Sequence, residues 1–90
     1  MADLNETQKR HAQDVVTGNM AGLMGDFTPA GMAKAMTLMT NPIKATSTEV
    51  NDLGNNEAEI SYIGDTTRKV WSKWVQTGDK WQIDDLAERS

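Results

Sequence analysis

The chain has no cysteine, only two prolines, one histidine, one tyrosine and one phenylalanine, and no long apolar run. Without cysteine there is neither a disulfide framework nor a zinc ribbon to brace the fold. One histidine and no thiol leave a transition metal without a donor set, so no metal or other cofactor is expected. No stretch approaches the roughly 20 apolar residues of a membrane span. The segment Met1-Ala2-Asp3-Leu4-Asn5-Glu6 has no basic start and no hydrophobic stretch, so no signal peptide is read there, and the cytoplasm is the expected location. Positive charge is also short. Nine bases against thirteen acids give a net charge of −4, the wrong sign for a nucleic-acid partner. The one basic concentration, Arg68, Lys69 and Lys73, reads as a solvated strand edge kept from aggregating by charge rather than as a phosphate site.

What is present fits one domain over residues 1–90. A chain this short buries only about 60–70% of its unfolded surface, so a partner subunit would help to stabilise it. In the first half, Leu4, Gln8, His11, Ala12 and Val15 recur at helical spacing and share a face, which predicts a helix from Leu4 to Thr17. Asp3 caps it, with Glu6 in capping-box position, and Gly18 stops it. Asn19 caps a short second helix through Leu23 and Met24, closed by Gly25. Thr28-Pro29 starts a third helix, which runs to Leu38 or Thr40 before Asn41-Pro42 ends it.

The second half is divided by three turn clusters, Gly54-Asn55-Asn56, Gly64-Asp65-Thr66 and Thr77-Gly78-Asp79. Strands are predicted over Ile43–Leu53, Glu57–Ile63, Arg68–Gln76 and Trp81–Leu86, spaced as in a meander. Helices first and strands afterwards predict an α+β domain, with three amino-terminal helices packed on a four-stranded antiparallel sheet.

Four of the five aromatic residues lie in the sheet half: Tyr62, Trp71, Trp74 and Trp81. Because strand side chains alternate, Val70 and Trp74 share one face and Trp71 and Val75 the other. Ile60 and Tyr62 likewise oppose Ile63. Helices can cover only one face, so the other would expose Trp-sized apolar surface, and a homodimer through Ile63, Trp71 and Val75 removes it. A bulge near Ser72-Lys73 is the competing explanation.

His11 sits on the inward face of the first helix, where it is either a general base, a buried side chain satisfied by one hydrogen bond, or a passive wall residue. A base needs a polarising partner, and Asp14, three residues on, is rotated away from that face. Met32, Met36 and Met39 form a stripe on the third helix that either fills core or lines a cavity for an apolar molecule. The acids form no site. Asp84 and Asp85 should face opposite ways, while Glu57 and Glu59 share a solvated face. No phosphate loop appears, since Gly18, Gly22 and Gly25 sit at helix ends.

Val16-Thr17-Gly18-Asn19-Met20-Ala21-Gly22-Leu23-Met24, running into Asp26-Phe27-Thr28-Pro29, resembles the junction of the first two helices in nuclear transport factor 2-like proteins. Trp74 to Ile83, with its Gly78 turn and Trp81-Gln82-Ile83, resembles that family's last hairpin. The two segments cover about a third of the chain. The resemblance implies a curved sheet wrapped over helices (a cone fold), a pocket between them, and frequent homodimers. Typical members carry an additional strand before the third helix, for which Asp26 to Thr28 leaves no room, so this is a reduced cone. The family holds isomerases, dehydratases and cyclases as well as many members without activity, so the fold alone assigns no reaction.

The leading expectation is a dimeric, non-catalytic domain holding a small apolar ligand against His11, Val15, Met32, Met36, Tyr62 and Trp74. The alternatives are an isomerase-, dehydratase- or cyclase-type enzyme using His11, and an assembly module with a filled core.

Overall fold

The computed structural model describes residues 3–89. Met1, Ala2 and Ser90, on which the reading of the amino terminus and the ends of the 1–90 domain partly rest, lie outside the described residues. Three helices precede four strands: α1 Leu4–Thr17, α2 Met20–Met24, α3 Pro29–Leu38, β1 Ser47–Gly54, β2 Glu57–Ile63, β3 Thr67–Thr77 and β4 Lys80–Arg89. The strands form one antiparallel sheet in the order β1-β2-β3-β4, so the domain is α+β as the sequence predicts. Among the described residues no helix is long and apolar enough to cross a membrane.

Each helix begins at the expected cap. Asp3 Oδ1 accepts from the Glu6 amide at 3.0 Å, Asn19 Oδ1 from Gly22 at 3.3 Å, and Thr28 Oγ1 from Gly31 at 3.1 Å. α1 ends at Gly18, whose left-handed φ of 72° only glycine adopts cheaply.

Strand boundaries shift where tertiary contacts overrule propensity. Ile43 to Thr46 were expected in the first strand but run as an irregular segment. Ile43 and Ala45 still pack on the core, and the Arg68 guanidinium donates to the carbonyls of Asn41 and Pro42 at 2.7 and 3.0 Å. β4 runs three residues past Leu86, because Arg68 and Glu88 form a two-pronged ion pair that extends its pairing with β3. That pairing also takes Arg68 out of the basic concentration read from the sequence, committing it to Glu88 and the 41–42 backbone, while Lys69 and Lys73 stay exposed on the strand's other face.

On β3 the alternation holds. Val70, Ser72 and Trp74 are buried, and Trp71, Lys73 and Val75 face the other way. The bulge lies opposite, in β4: Lys73 pairs with Asp85 and Trp74 with Ile83, leaving Asp84 as the extra residue. Ile83 and Leu86, three apart, therefore both reach the core. The same bulge corrects the expectation for Asp84 and Asp85. Both are engaged by the α3 region, Asp84 by the Thr28 hydroxyl at 2.8 Å and Asp85 by Lys34 at 3.2 Å.

The core between helices and sheet is built from Ala12, Ala35, Ile60, Tyr62, Val70, Trp74, Ile83 and Leu86. Gln8 is fully buried on α1, and neither its amide oxygen nor its nitrogen has a partner among the described residues. Each orphaned group costs about 1–3 kcal/mol. Gln8→Met keeps the volume and removes both, so the variant should be at least as stable as the native chain. A urea midpoint lowered by more than experimental error would contradict this account.

Candidate functional site

The segment between α2 and α3 builds the site. It joins the edge of the sheet as a single parallel bridge, Phe27 to Ile83, with the Ile83 amide donating to the Asp26 carbonyl at 2.7 Å and the Thr28 amide to the Ile83 carbonyl at 3.0 Å. Gln82 Nε2 ties the same segment down through the carbonyls of Gly25 and Phe27. These bonds carry the Asp26 side chain inward to α1, where it is 3% exposed.

There Asp26 meets two residues adjacent in sequence. His11 Nδ1 lies 2.8 Å from Asp26 Oδ2, and the Arg10 guanidinium donates to both Asp26 oxygens from the more exposed side. Arg10 also pairs with Asp14 at 2.7 Å, and Asn19 Nδ2 donates to Asp14 at 3.2 Å. Burial by itself pushes the Asp26 pKa up. The hydrogen bonds from His11 and Arg10, with their charges, outweigh it and hold the carboxyl below its ordinary range. Arg10 is raised in turn, chiefly by its hydrogen bond to Asp26. The His11 ring is gripped edge-on by Phe27 and Trp74, with centroids 5.7 and 5.5 Å away.

His11 is also part of the wall of a cavity of about 240 Å³ between the helices and the sheet. The sheet contributes Ile60, Tyr62, Val70, Ser72, Ile83 and Leu86; α1 contributes His11 and Val15; α3 and the chain after it contribute Met32, Ala35, Leu38, Met39, Pro42 and Ile43. α2 lines its solvent-facing mouth with Met20, Leu23 and Met24, and has no buried residue of its own. Polar groups on this wall are few. Ser72 Oγ is committed, accepting from Trp74 Nε1 at 2.9 Å and donating to the Ala58 carbonyl at 3.3 Å. The Tyr62 hydroxyl has no partner among the described residues, and burial pushes its pKa well up, so it stays neutral. His11 Nε2 likewise has no hydrogen-bond partner among the described residues.

Of the residues singled out for a pocket, His11, Val15, Met32 and Tyr62 lie on this wall. Met36 and Trp74 do not. Met36 is 66% exposed, because α3 turns its small residues Gly31 and Ala35 to the sheet and leaves Met36 at the flank, while Met32 and Met39 reach the wall. Trp74 is 1% exposed and packs behind the His11 ring rather than on the cavity surface. The partner of His11 is Asp26, not Asp14, and sequence reasoning missed it along with Arg10 and Phe27. The step Asp26-Phe27-Thr28-Pro29 was legible as a helix start and as a resemblance but not as a partner of His11, since a contact fifteen residues away leaves no periodic trace.

On the outer face of the sheet, Ile63, Trp71 and Val75 are each half-buried. Trp71 is partly covered by its own chain: its Nε1 donates to Glu57 at 2.8 Å, and the Arg89 guanidinium stacks over the ring at 5.3 Å. The large apolar side chains most exposed to solvent are instead Met20, Met24, Met36 and Met39 of the helical half and Leu53. Among the described residues no three His, Asp or Glu side chains gather as a metal site. No protein-family model, no curated protein and no solved structure matches this chain.

Proposed function

We propose that the chain binds a small, mainly apolar molecule in the cavity between its helices and its sheet, without transforming it. The observation that carries this reading is a cavity of about 240 Å³ whose wall is almost wholly apolar. That is smaller than the roughly 300–1,000 Å³ of sites for drug-sized ligands, and an apolar void of about 150 Å³ already takes up benzene. The short α2, with methionines at the mouth, suits ligands of varied shape. The order of elements keeps kinship with the nuclear transport factor 2-like family as part of this proposal.

Toluene serves as the test ligand. At a free concentration about 100 times its Kd it should add about 2.7 kcal/mol of stability, seen as a rise in Tm. Leu23→Trp, placed at the mouth on a helix that buries nothing, should fold normally and lose that rise. Equal Tm values with and without toluene in the native chain would remove the proposal.

A second reading, an isomerase-, dehydratase- or cyclase-type enzyme, is favoured by one observation: a carboxylate holds His11 Nδ1 while the ring borders an apolar cavity. It requires that His11→Ala abolish any turnover found. A filled assembly module is disfavoured by the cavity itself.

We further infer a homodimer through the outer face of the sheet. Glu49, Glu57 and Glu59 lie on its β1–β2 half, and Lys69, Lys73 and Arg89, with Asp85 opposite Lys73, on its β3–β4 half, where Lys69 and Arg89 are directly opposite in register. Like charges so placed repel. A twofold axis over Trp71 would set each basic half against the partner's acidic half. Sedimentation should give a dimer at micromolar concentration and a monomer for Trp71→Glu; a monomeric native chain removes the dimer.

A further inference from the structure

The two nitrogens of the chain's one histidine have opposite surroundings. Nδ1 faces Asp26, an acceptor whose charge is fixed by Arg10 on its other side. In the neutral ring the proton therefore belongs on Nδ1, donating to Asp26, and Nε2 keeps its lone pair. Nε2 has no hydrogen-bond partner among the described residues, and the ring forms part of the cavity wall.

We propose that Asp26 makes the cavity selective for small neutral molecules that donate a hydrogen bond, alcohols and phenols, over carbonyl compounds and carboxylates of the same size. This rests on the cavity being a binding site. A purely apolar guest leaves Nε2 unsatisfied against an apolar wall, which costs affinity. A carbonyl compound meets lone pair with lone pair. A carboxylate finds no cation, since neither lysine nor arginine is on the wall and Arg10 is spent on Asp26 and Asp14. The Tyr62 hydroxyl does not decide the matter, because it can donate or accept. The Ser72 proton is committed to Ala58. Asp26 is thus a positioning residue, acting through the tautomer of His11.

Two measurements test this above the ordinary imidazole titration range. Nitrogen NMR of the labelled chain reports a single histidine, and should show Nδ1 protonated and Nε2 bare; the reverse tautomer overturns the proposal. Calorimetric titration with toluene, phenol, acetophenone and benzoate should place phenol about tenfold tighter than toluene, with acetophenone and benzoate weaker than phenol. His11→Phe should erase the gap between phenol and toluene, while Tyr62→Phe should keep it. Equal binding of phenol and toluene, or tightest binding of acetophenone or benzoate, overturns the selectivity and leaves the cavity site standing. If none of the four binds, the binding function itself falls. In Asp26→Asn the preference should follow the ring proton: a variant protonated on Nε2 that still prefers phenol also overturns the proposal.

Discussion

Gly31→Ala should lose about 3 kcal/mol or more of stability in urea unfolding, although helix propensity alone predicts a gain. In an exposed helix interior alanine is better than glycine by up to about 1 kcal/mol. At this position an added Cβ would land on the carbonyl oxygen of Ile83, backbone against backbone. Overpacking typically costs about 1–3 kcal/mol where side chains can yield. Here the obstacle is backbone. The Ile83 carbonyl already accepts from the Thr28 amide and hydroxyl, and the Ile83 amide is bound to the Asp26 carbonyl. Moving α3 off β4 breaks those bonds and withdraws Asp26 from His11. A ninety-residue domain has a total stability of about 4–13 kcal/mol, so the loss is a large share of it. The NMR signals of His11 should change with the stability. A variant within 0.5 kcal/mol of the native chain would show that the α3–β4 contact is looser than described.

Asp26→Ala should cost about 3 kcal/mol, because removing one member of a buried pair strands the other. The stranded group is His11 Nδ1, since the half-exposed Arg10 can turn to water or to Asp14. Acid should reveal the same interaction. The folded-state pKa of Asp26 is lowered, so its contribution is present above the ordinary carboxylate value of about 3.9 and is lost as pH falls through the folded value. The stability difference between the native chain and Asp26→Ala should therefore be constant near neutrality and shrink as pH drops below about 4. A difference that stays constant down to the acid limit would mean that the carboxylate is not what holds the pair.

The caps and the sheet alternation were legible because they are local. Asp3, Asn19 and Thr28 each bond an amide three residues on, and Val70, Ser72 and Trp74 share a face by the geometry of an extended chain. Within the methionine stripe Met32 and Met39 do line the cavity, and only Met36 misled, for the opposite reason. Periodicity ranks residues by hydrophobicity, but α3 turns its smallest side chains inward, because only Gly31 and Ala35 let its backbone close on β4. The bulge at Asp84 was invisible on β4 itself and was sought instead on β3, since an extra residue shows only in the register between two strands.

His11 on an inward helix face, the three helix starts and the order of helices before strands were determined by the sequence alone, through spacings of three, four and two residues that backbone geometry imposes. Only the tertiary structure decided that Asp26 is the partner of His11 and that α2 lines the cavity mouth. Those contacts depend on where the chain between α2 and α3 is pinned to Ile83, and a contact made across distant segments leaves no period to read.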